Sequence, residues 1–436
     1  MMQQPIRILS TLSGTSLLLT LARLAGAGTG IILQILIARY YGAGVLGSYY
    51  LALSLAGILS IFMSMGYPWI VAPIVAAGEI DGRSTVLPGF LRLIRNDTVV
   101  LSALFGVPAA LLIWLYPGTA AEQRFALLIG LATAPVYAAM RVCGSFANAM
   151  KFFRLANLPE LLLRPVLTLV FVAAAIALAV QLNAISIVAI NFFIALALTV
   201  WMAIFLSRNA GLGFAGPPPG SRLSARETSK LRRLAVPMIF STLFVNMFAD
   251  MDILMIGLIL PAEEAGIFGV AMKIAALLVF AVQITHQILL RDAANAHLTA
   301  DRRQMHQIMR RANLFTIASS IASFLLMLLF GRFLLALFGS EFQAAYYALL
   351  GLVLAQIIRA SAGPAIQILM ITENQRAGIP VYICSSIVLL LSNLVLVPAY
   401  KYEGAAAAVI ITTLFWSVWL NHLVRRKTGY QVSVFG

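Results

Sequence analysis

The chain has 436 residues, of which 61% are hydrophobic and only 10% charged, with a formal net charge of +15. Soluble domains carry about a quarter charged residues, so a large soluble enzyme is excluded. The basic residues are spread over short loops between apolar runs, which argues against nucleic acid as the partner behind that charge.

Apolar runs of about 20 residues recur along the whole length, each able to cross a ~30 Å hydrocarbon layer as a helix. They predict an all-α polytopic membrane protein of about twelve transmembrane helices. The spans fall at 9–38, 46–70, 97–116, 123–148, 157–181, 184–206, 234–260, 265–290, 312–338, 343–371, 378–398 and 404–424. With the N-terminus inside, 21 Lys and Arg residues lie in cytoplasmic segments, four in outer segments and five inside spans. That asymmetry predicts a cytoplasmic-membrane protein with both termini cytoplasmic.

In chain order, the N-terminus has the look of a signal peptide, but its apolar run holds Arg23 and continues to Ile37. It is read as a retained first span. Its GAGTG stretch (26–30) has no preceding strand and no following GK[ST], so it is not a phosphate loop. Ala22, Gly26 and Gly30 recur every fourth residue and predict close helix packing. Cys143 and Cys384 read as small buried hydrophobes, not a disulfide.

Residues 207–233, with Pro217–Pro219 and six basic residues, predict a cytoplasmic linker. It separates an N-terminal six-helix lobe (1–206) from a C-terminal lobe with a short tail (234–436). GAGVLGSYYLA (42–52) aligns on PAEEAGIFGVA (261–271) at an offset of 219, pairing Gly47 with Gly266, Tyr49 with Phe268 and Ala52 with Ala271. Two parallel, pseudo-symmetric lobes around a central cavity follow, the arrangement of a transporter. DRRQMHQIMRR (301–311) reads as a surface helix against anionic headgroups, with a grip on a substrate diphosphate as the alternative. The four histidines have no partner at metal spacing, no Walker motif occurs, and no nucleophilic triad can be argued, so neither a metal, a cofactor nor catalysis is expected.

A Lys or Arg in the bilayer core costs about 2.5–3.5 kcal/mol on insertion scales. Arg23, Arg141, Arg164, Lys273 and Arg359 must therefore face water, partners or substrate; Arg164, followed by Pro165, lies nearer the cytoplasmic side and can snorkel. Asp252 and Lys273 reach matching depth in spans seven and eight and form either an internal ion pair or a functional site. Asp250 and Asp252 lie about 200° apart on their helix, so both cannot face the same partner; one of them is a candidate coupling site for H+ or Na+. Arg23, Arg141 and Arg359 have no evident acidic partner and suit an anion, since guanidinium forks match phosphate oxygens. With Lys273 they make the candidate cationic, substrate-binding cavity, and a lipid diphosphate is its natural cargo.

ILIARYYGAGVLGSYYLALS (35–54), AVPMIFSTLFVNMFADMDILMIGLILPAEEAGIFGVAMKIA (235–275) and LSNLVLVPAYKYEGAAAAVI (391–410) resemble the polysaccharide-biosynthesis flippases of the O-antigen type, within the multidrug/oligosaccharidyl-lipid/polysaccharide (MOP) exporter superfamily. The resemblance implies a MATE-like pair of lobes working by alternating access. It implies an undecaprenyl-diphosphate-linked oligosaccharide as cargo, moved across the inner membrane for lipopolysaccharide or other surface polysaccharide. It also implies membrane lipids and other polysaccharide-assembly proteins as partners, and places Arg23 where a cavity arginine is expected. The lipid-II flippase branch usually has fourteen spans, two more than read here. A cation-coupled multidrug antiporter remains the alternative, although antiporters of this fold usually carry first-lobe carboxylates that span one lacks. A membrane glycan polymerase would want a large outer loop, which is missing.

Overall fold

The computed structural model describes residues 14–81, 86–116, 120–210, 223–277, 302–372, 374–430 and 432, and every regular element among them is helical. Residues 9–13 of the first expected span, 278–290 of the eighth, and 211–222 of the linker lie outside the described residues. Two compact units divide at Thr242–Leu243, a step inside a helix.

In the first unit α1 runs Gly14–Met63. Fifty residues would extend about 75 Å at 1.5 Å each, far beyond one bilayer. The helix is in fact bent at Gly42 (φ 88°, ψ 169°), a backbone region open essentially to glycine. The bend falls in the expected loop between spans one and two. Span two differs from expectation at its end, however. Met65 and Gly66 turn left-handed (φ 51° and 72°), the helix stops at Met63, and α2 begins anew at Tyr67–Asp81. Next come α3 (Val86–Leu115), which starts well before the expected 97, and α4 (Ala121–Ala149).

The fifth span is irregular. A short α5 (Phe153–Leu158) passes into a π-turn (Pro159–Leu163) and then α6 (Arg164–Ala177). Pro165 has no N–H, so it cannot bond the carbonyl of Leu161 four residues back. The Arg164 N–H instead reaches the Pro159 carbonyl, five residues back. The Leu161 carbonyl meets Gly26 of α1, where any Cβ would collide with it. The expected small-residue stripe is thus half real: Ala22 and Gly26 are packed, whereas none of the described residues lies within 4 Å of a Cβ at Gly30. α7 (Ala184–Ala210) and the first half of α8 (Ala225–Ile259) complete the unit. Tyr67, Phe90 and Phe146 stack in its core with ring centroids 5.7 and 6.2 Å apart, all fully buried.

The second unit holds the rest of α8, α9 (262–277), α10 (Arg302–Ala336), a 3-10 turn (Glu341–Ala345), α11 (Tyr346–Ser361), α12 (Ala365–Ile371) and α13 (Ile379–Thr428). The break between α8 and α9 falls at Leu260–Pro261, the position that aligns with Gly42 in the repeat. Downstream of both breaks, Tyr49 and Phe268 are buried, as are Ala52 and Ala271. The sequence repeat therefore carries a repeated local structure. α13 is bent at Lys401 (φ 50°, ψ −134°), in the expected loop between the last two spans, and the Lys401 ammonium donates to Glu264 Oε1 at 2.8 Å.

The 302–311 segment is not a separate surface helix, because α10 continues unbroken into the span. Met305, Ile308 and Met309 are buried while Arg303, His306, Arg310 and Arg311 are exposed, so an apolar stripe at helical spacing holds its first turns against the protein. Among the described residues, eight helices are long and apolar enough to cross a membrane; two of them, Leu18–Met63 and Ile379–Thr428, carry the internal bends at Gly42 and Lys401.

Candidate functional site

Each unit carries its own polar cluster within apolar helices. In the first, α6 begins with Arg164 directly after the π-turn. Its guanidinium lies over the Tyr137 ring of α4, 4.8 Å from the centroid. This half-buried cation is held by an aromatic face, a contact that strengthens away from water. The Tyr137 hydroxyl donates to Asn191 Oδ1 of α7 at 2.7 Å. Tyr49 of α1 and Glu160 of the π-turn are within electrostatic reach of Arg164, and Arg141, one turn beyond Tyr137, is within reach of that phenol. The structure thus brings the expected Arg141 together with Arg164, Tyr137 and Asn191. Tyrosines and asparagines in the middle of apolar helices gave no sequence signal; Pro165 marked the irregular turn that aims Arg164.

Arg23 sits on α1 one turn before Gly26 and is exposed, whereas Arg141 is half-buried. Neither guanidinium has a hydrogen-bond or ion-pair partner among the described residues. In the second unit, half-buried Arg359 of α11 lies 5.8 Å from the centroid of Trp416 on α13. Lys273 on α9 is half-buried as well.

The two aspartates diverge as the helix geometry requires: Asp252 is fully buried and Asp250 half-buried. Asn393 Nδ2 donates to Asp252 Oδ1 at 2.7 Å and also to the Leu389 carbonyl at 3.0 Å. Asp252 Oδ2 and Asn393 Oδ1 are buried without a hydrogen-bond partner among the described residues. The pair joins α8 to α13, two segments that stand 141 residues apart.

A third cluster lies in the first unit, where Asp97 of α3 is buried. Arg232 of α8 clasps it with two bonds, Nε to Oδ2 at 2.9 Å and Nη2 to Oδ1 at 2.5 Å, and the Tyr67 hydroxyl donates to Oδ2 at 2.5 Å. The carboxylate raises the guanidinium pKa of Arg232 further above its usual value. Trp69 Nε1 donates to Thr242 Oγ1 at 2.7 Å, fastening the same stretch of α8 again. Breaking a buried pair costs about 3–5 kcal/mol and an exposed one about 0–1 kcal/mol. The Arg232 side chain is 47% exposed and that of Asp97 only 9%, so Arg232→Ala should cost about 2 kcal/mol, between those limits. A thermal melt of the purified protein checks this, and Tyr67→Phe, which leaves the fork intact, should cost less.

The profile of the polysaccharide biosynthesis protein family matches residues 13–287. No curated protein matches by sequence. Solved structures with the same fold include an inward-facing multidrug-resistance MATE-family transporter of the MOP superfamily (TM-score 0.71, 13% identity, covering 94% of this chain and 99% of the other). Lipid II flippase MurJ in an inward closed conformation matches with TM-score 0.74 and 13% identity, covering 94% and 88%. A MOP superfamily transporter from Pyrococcus furiosus described as having a binding pocket of reversed polarity matches with TM-score 0.57 and 13% identity, covering 96% and 98%. Identities this low establish the fold, and with the apolar helices they mark a multi-pass membrane protein. On a match spanning well over half its length, the chain belongs to the polysaccharide biosynthesis protein family and has the fold of MOP superfamily transporters.

Proposed function

We propose that the protein is a flippase rather than an enzyme. In this reading it moves an undecaprenyl-diphosphate-linked oligosaccharide across the inner membrane, from the cytoplasmic to the outer leaflet, for surface polysaccharide such as O-antigen. The observation that carries this reading is the pair of span arginines, Arg23 and Arg141, left without a counter-ion among the described residues of a family tied to polysaccharide synthesis. Such cations need an anion, and a diphosphate supplies oxygens that fit their donor geometry. Arg359 and Lys273 are the substrate-binding cations of the second lobe in this reading. In this reading two six-helix lobes, 1–206 and 234–436 with 207–233 as linker, work by alternating access. Export also runs with the membrane potential, because two negative charges leaving a negative interior gain on the order of 5 kcal/mol at 100 mV.

Asp252 supplies the cation coupling in this reading. Two acceptor oxygens, Asp252 Oδ2 and Asn393 Oδ1, are buried with no donor among the described residues. A proton or a Na+ ion would satisfy both, and an unsatisfied pair costs about 1–3 kcal/mol per group. The same feature favours the second reading, a cation-coupled multidrug antiporter.

Substituting the arginines separates the readings. A charge-assisted hydrogen bond is worth about 1.5–3 kcal/mol, so Arg23→Ala and Arg141→Ala should each slow glycan export at least about tenfold. Both variants should insert normally and leave the lipid-linked glycan on the cytoplasmic leaflet, as read by its accessibility to membrane-impermeant reagents on sealed vesicles. Normal surface glycan in both variants, with dye efflux lost on changing Asp252, would establish the antiporter instead.

A further inference from the structure

A cleft of about 250 Å3 opens in the first unit between α3, α4 and α7. Its walls are apolar, built from Leu91 and Val99 on α3, Ala139 and Val142 on α4, and Ala203 on α7. Along one edge Arg92, Arg95 and Thr98 follow one another at three-residue steps of α3. Residues three apart occupy neighbouring turns of one helix face, so two guanidinium forks and a hydroxyl form a continuous rim. The cleft's other hydroxyl is spent, since Thr199 Oγ donates to the Ala195 carbonyl at 2.7 Å. None of the cleft's lining residues is acidic. The carboxylate nearest along the chain, Asp97, is occupied on both oxygens by Arg232 and Tyr67, and so does not neutralise the rim.

The level of this rim is marked independently on α7. Exposed Trp201 lies between Thr199 and Ala203, and tryptophan concentrates at the membrane–water boundary. A second cleft sits on the other face of α7, lined by Trp201 and Phe205 and again edged by two cations, Lys151 and Arg154. Apolar trough and basic edge thus recur at the same end of one helix.

We infer that the α3–α4–α7 cleft binds an anionic glycerophospholipid of the cytoplasmic leaflet. Arg92 and Arg95 hold its phosphate, and an acyl chain lies along the apolar wall. A soluble anion would use the rim and leave the trough uncovered, while a neutral lipid would cover the trough and leave two cations unmatched; an anionic lipid satisfies both. Each basic residue near a membrane surface favours anionic over neutral lipid several-fold.

Native mass spectrometry of the full chain, purified with equal amounts of phosphatidylglycerol and phosphatidylcholine, tests the assignment. The wild type should retain phosphatidylglycerol with about tenfold preference. Arg92→Gln with Arg95→Gln should bring that preference close to parity, and the two Arg→Lys changes should keep most of it. Ala203→Phe should reduce retention of both lipids. Arg425→Gln with Arg426→Gln, at the end of α13, should change nothing. The assignment is overturned if the Arg92/Arg95 glutamine pair keeps the wild-type preference, if Ala203→Phe leaves retention intact, or if undecaprenyl diphosphate at equal concentration displaces the phospholipid. Melting temperatures in lipid-free detergent, expected to match the wild type, exclude misfolding as the cause of a loss.

Discussion

Gly26→Val should prevent the protein from accumulating in folded form, whereas Gly30→Val, four residues along the same helix, should be nearly silent. A side chain at 26 would strike the carbonyl oxygen and carbon of Leu161, both backbone, so no rotamer change relieves it. Insertion into a packed interface costs about 1–3 kcal/mol where side chains can adjust. Where backbone must move, and the moving backbone is the π-turn that presents Arg164, a loss of at least about 3 kcal/mol is expected. At Gly30 none of the described residues lies within 4 Å of the added carbon. Detergent-solubilised yield and thermal stability, measured side by side for the two variants, check the contrast. Equal behaviour would mean that α1 does not dock on the π-turn.

Asp252→Asn should keep the fold and remove any response of transport to an imposed H+ or Na+ gradient. An asparagine at 252 retains an acceptor for Asn393 Nδ2 and adds a donor of its own for the unpartnered Asn393 Oδ1. Stability should therefore hold or rise by about 1 kcal/mol, the usual net value of a hydrogen bond. What disappears is the group able to gain or lose a charge. Asp252→Leu should differ in kind, because it takes one of the two acceptors from Asn393 Nδ2, leaves Asn393 Oδ1 unsatisfied in an apolar interior and costs about 1–3 kcal/mol. Translocation of labelled lipid-linked glycan in proteoliposomes, with and without an ion gradient, provides the readout. A gradient response that survives in Asp252→Asn places coupling elsewhere in the chain.

Hydropathy is a sum over many residues, which is why most helices were visible in the sequence within a few positions. Features decided by a single hydrogen bond or torsion were not. The break at Met65–Gly66 lies inside a run of apolar residues whose average conceals it. The early start of α3 placed Arg92 and Arg95 on a helix although their charge made them look like loop. At the site, the arginines stood out because charge is rare in such a sequence. Tyr137 and Asn191 did not, since only the packing of α4, α6 and α7 shows that they hold Arg164. Asp252 and Asn393 each lay in a stretch that resembles the flippases, yet 141 intervening residues hid that they touch.

The π-turn between α5 and α6 has one more consequence. Widening a single loop of helix to span five residues adds the equivalent of one residue to the coil. Everything after it is turned by about 100° relative to an uninterrupted helix. Regularising the turn without removing a residue would swing Arg164 about a quarter turn away from Tyr137, whereas deleting one residue from Pro159–Leu163 would restore a regular spiral and leave Arg164 facing that ring. The irregularity acts as a phase shifter, setting the direction of a charge without altering how deep it lies.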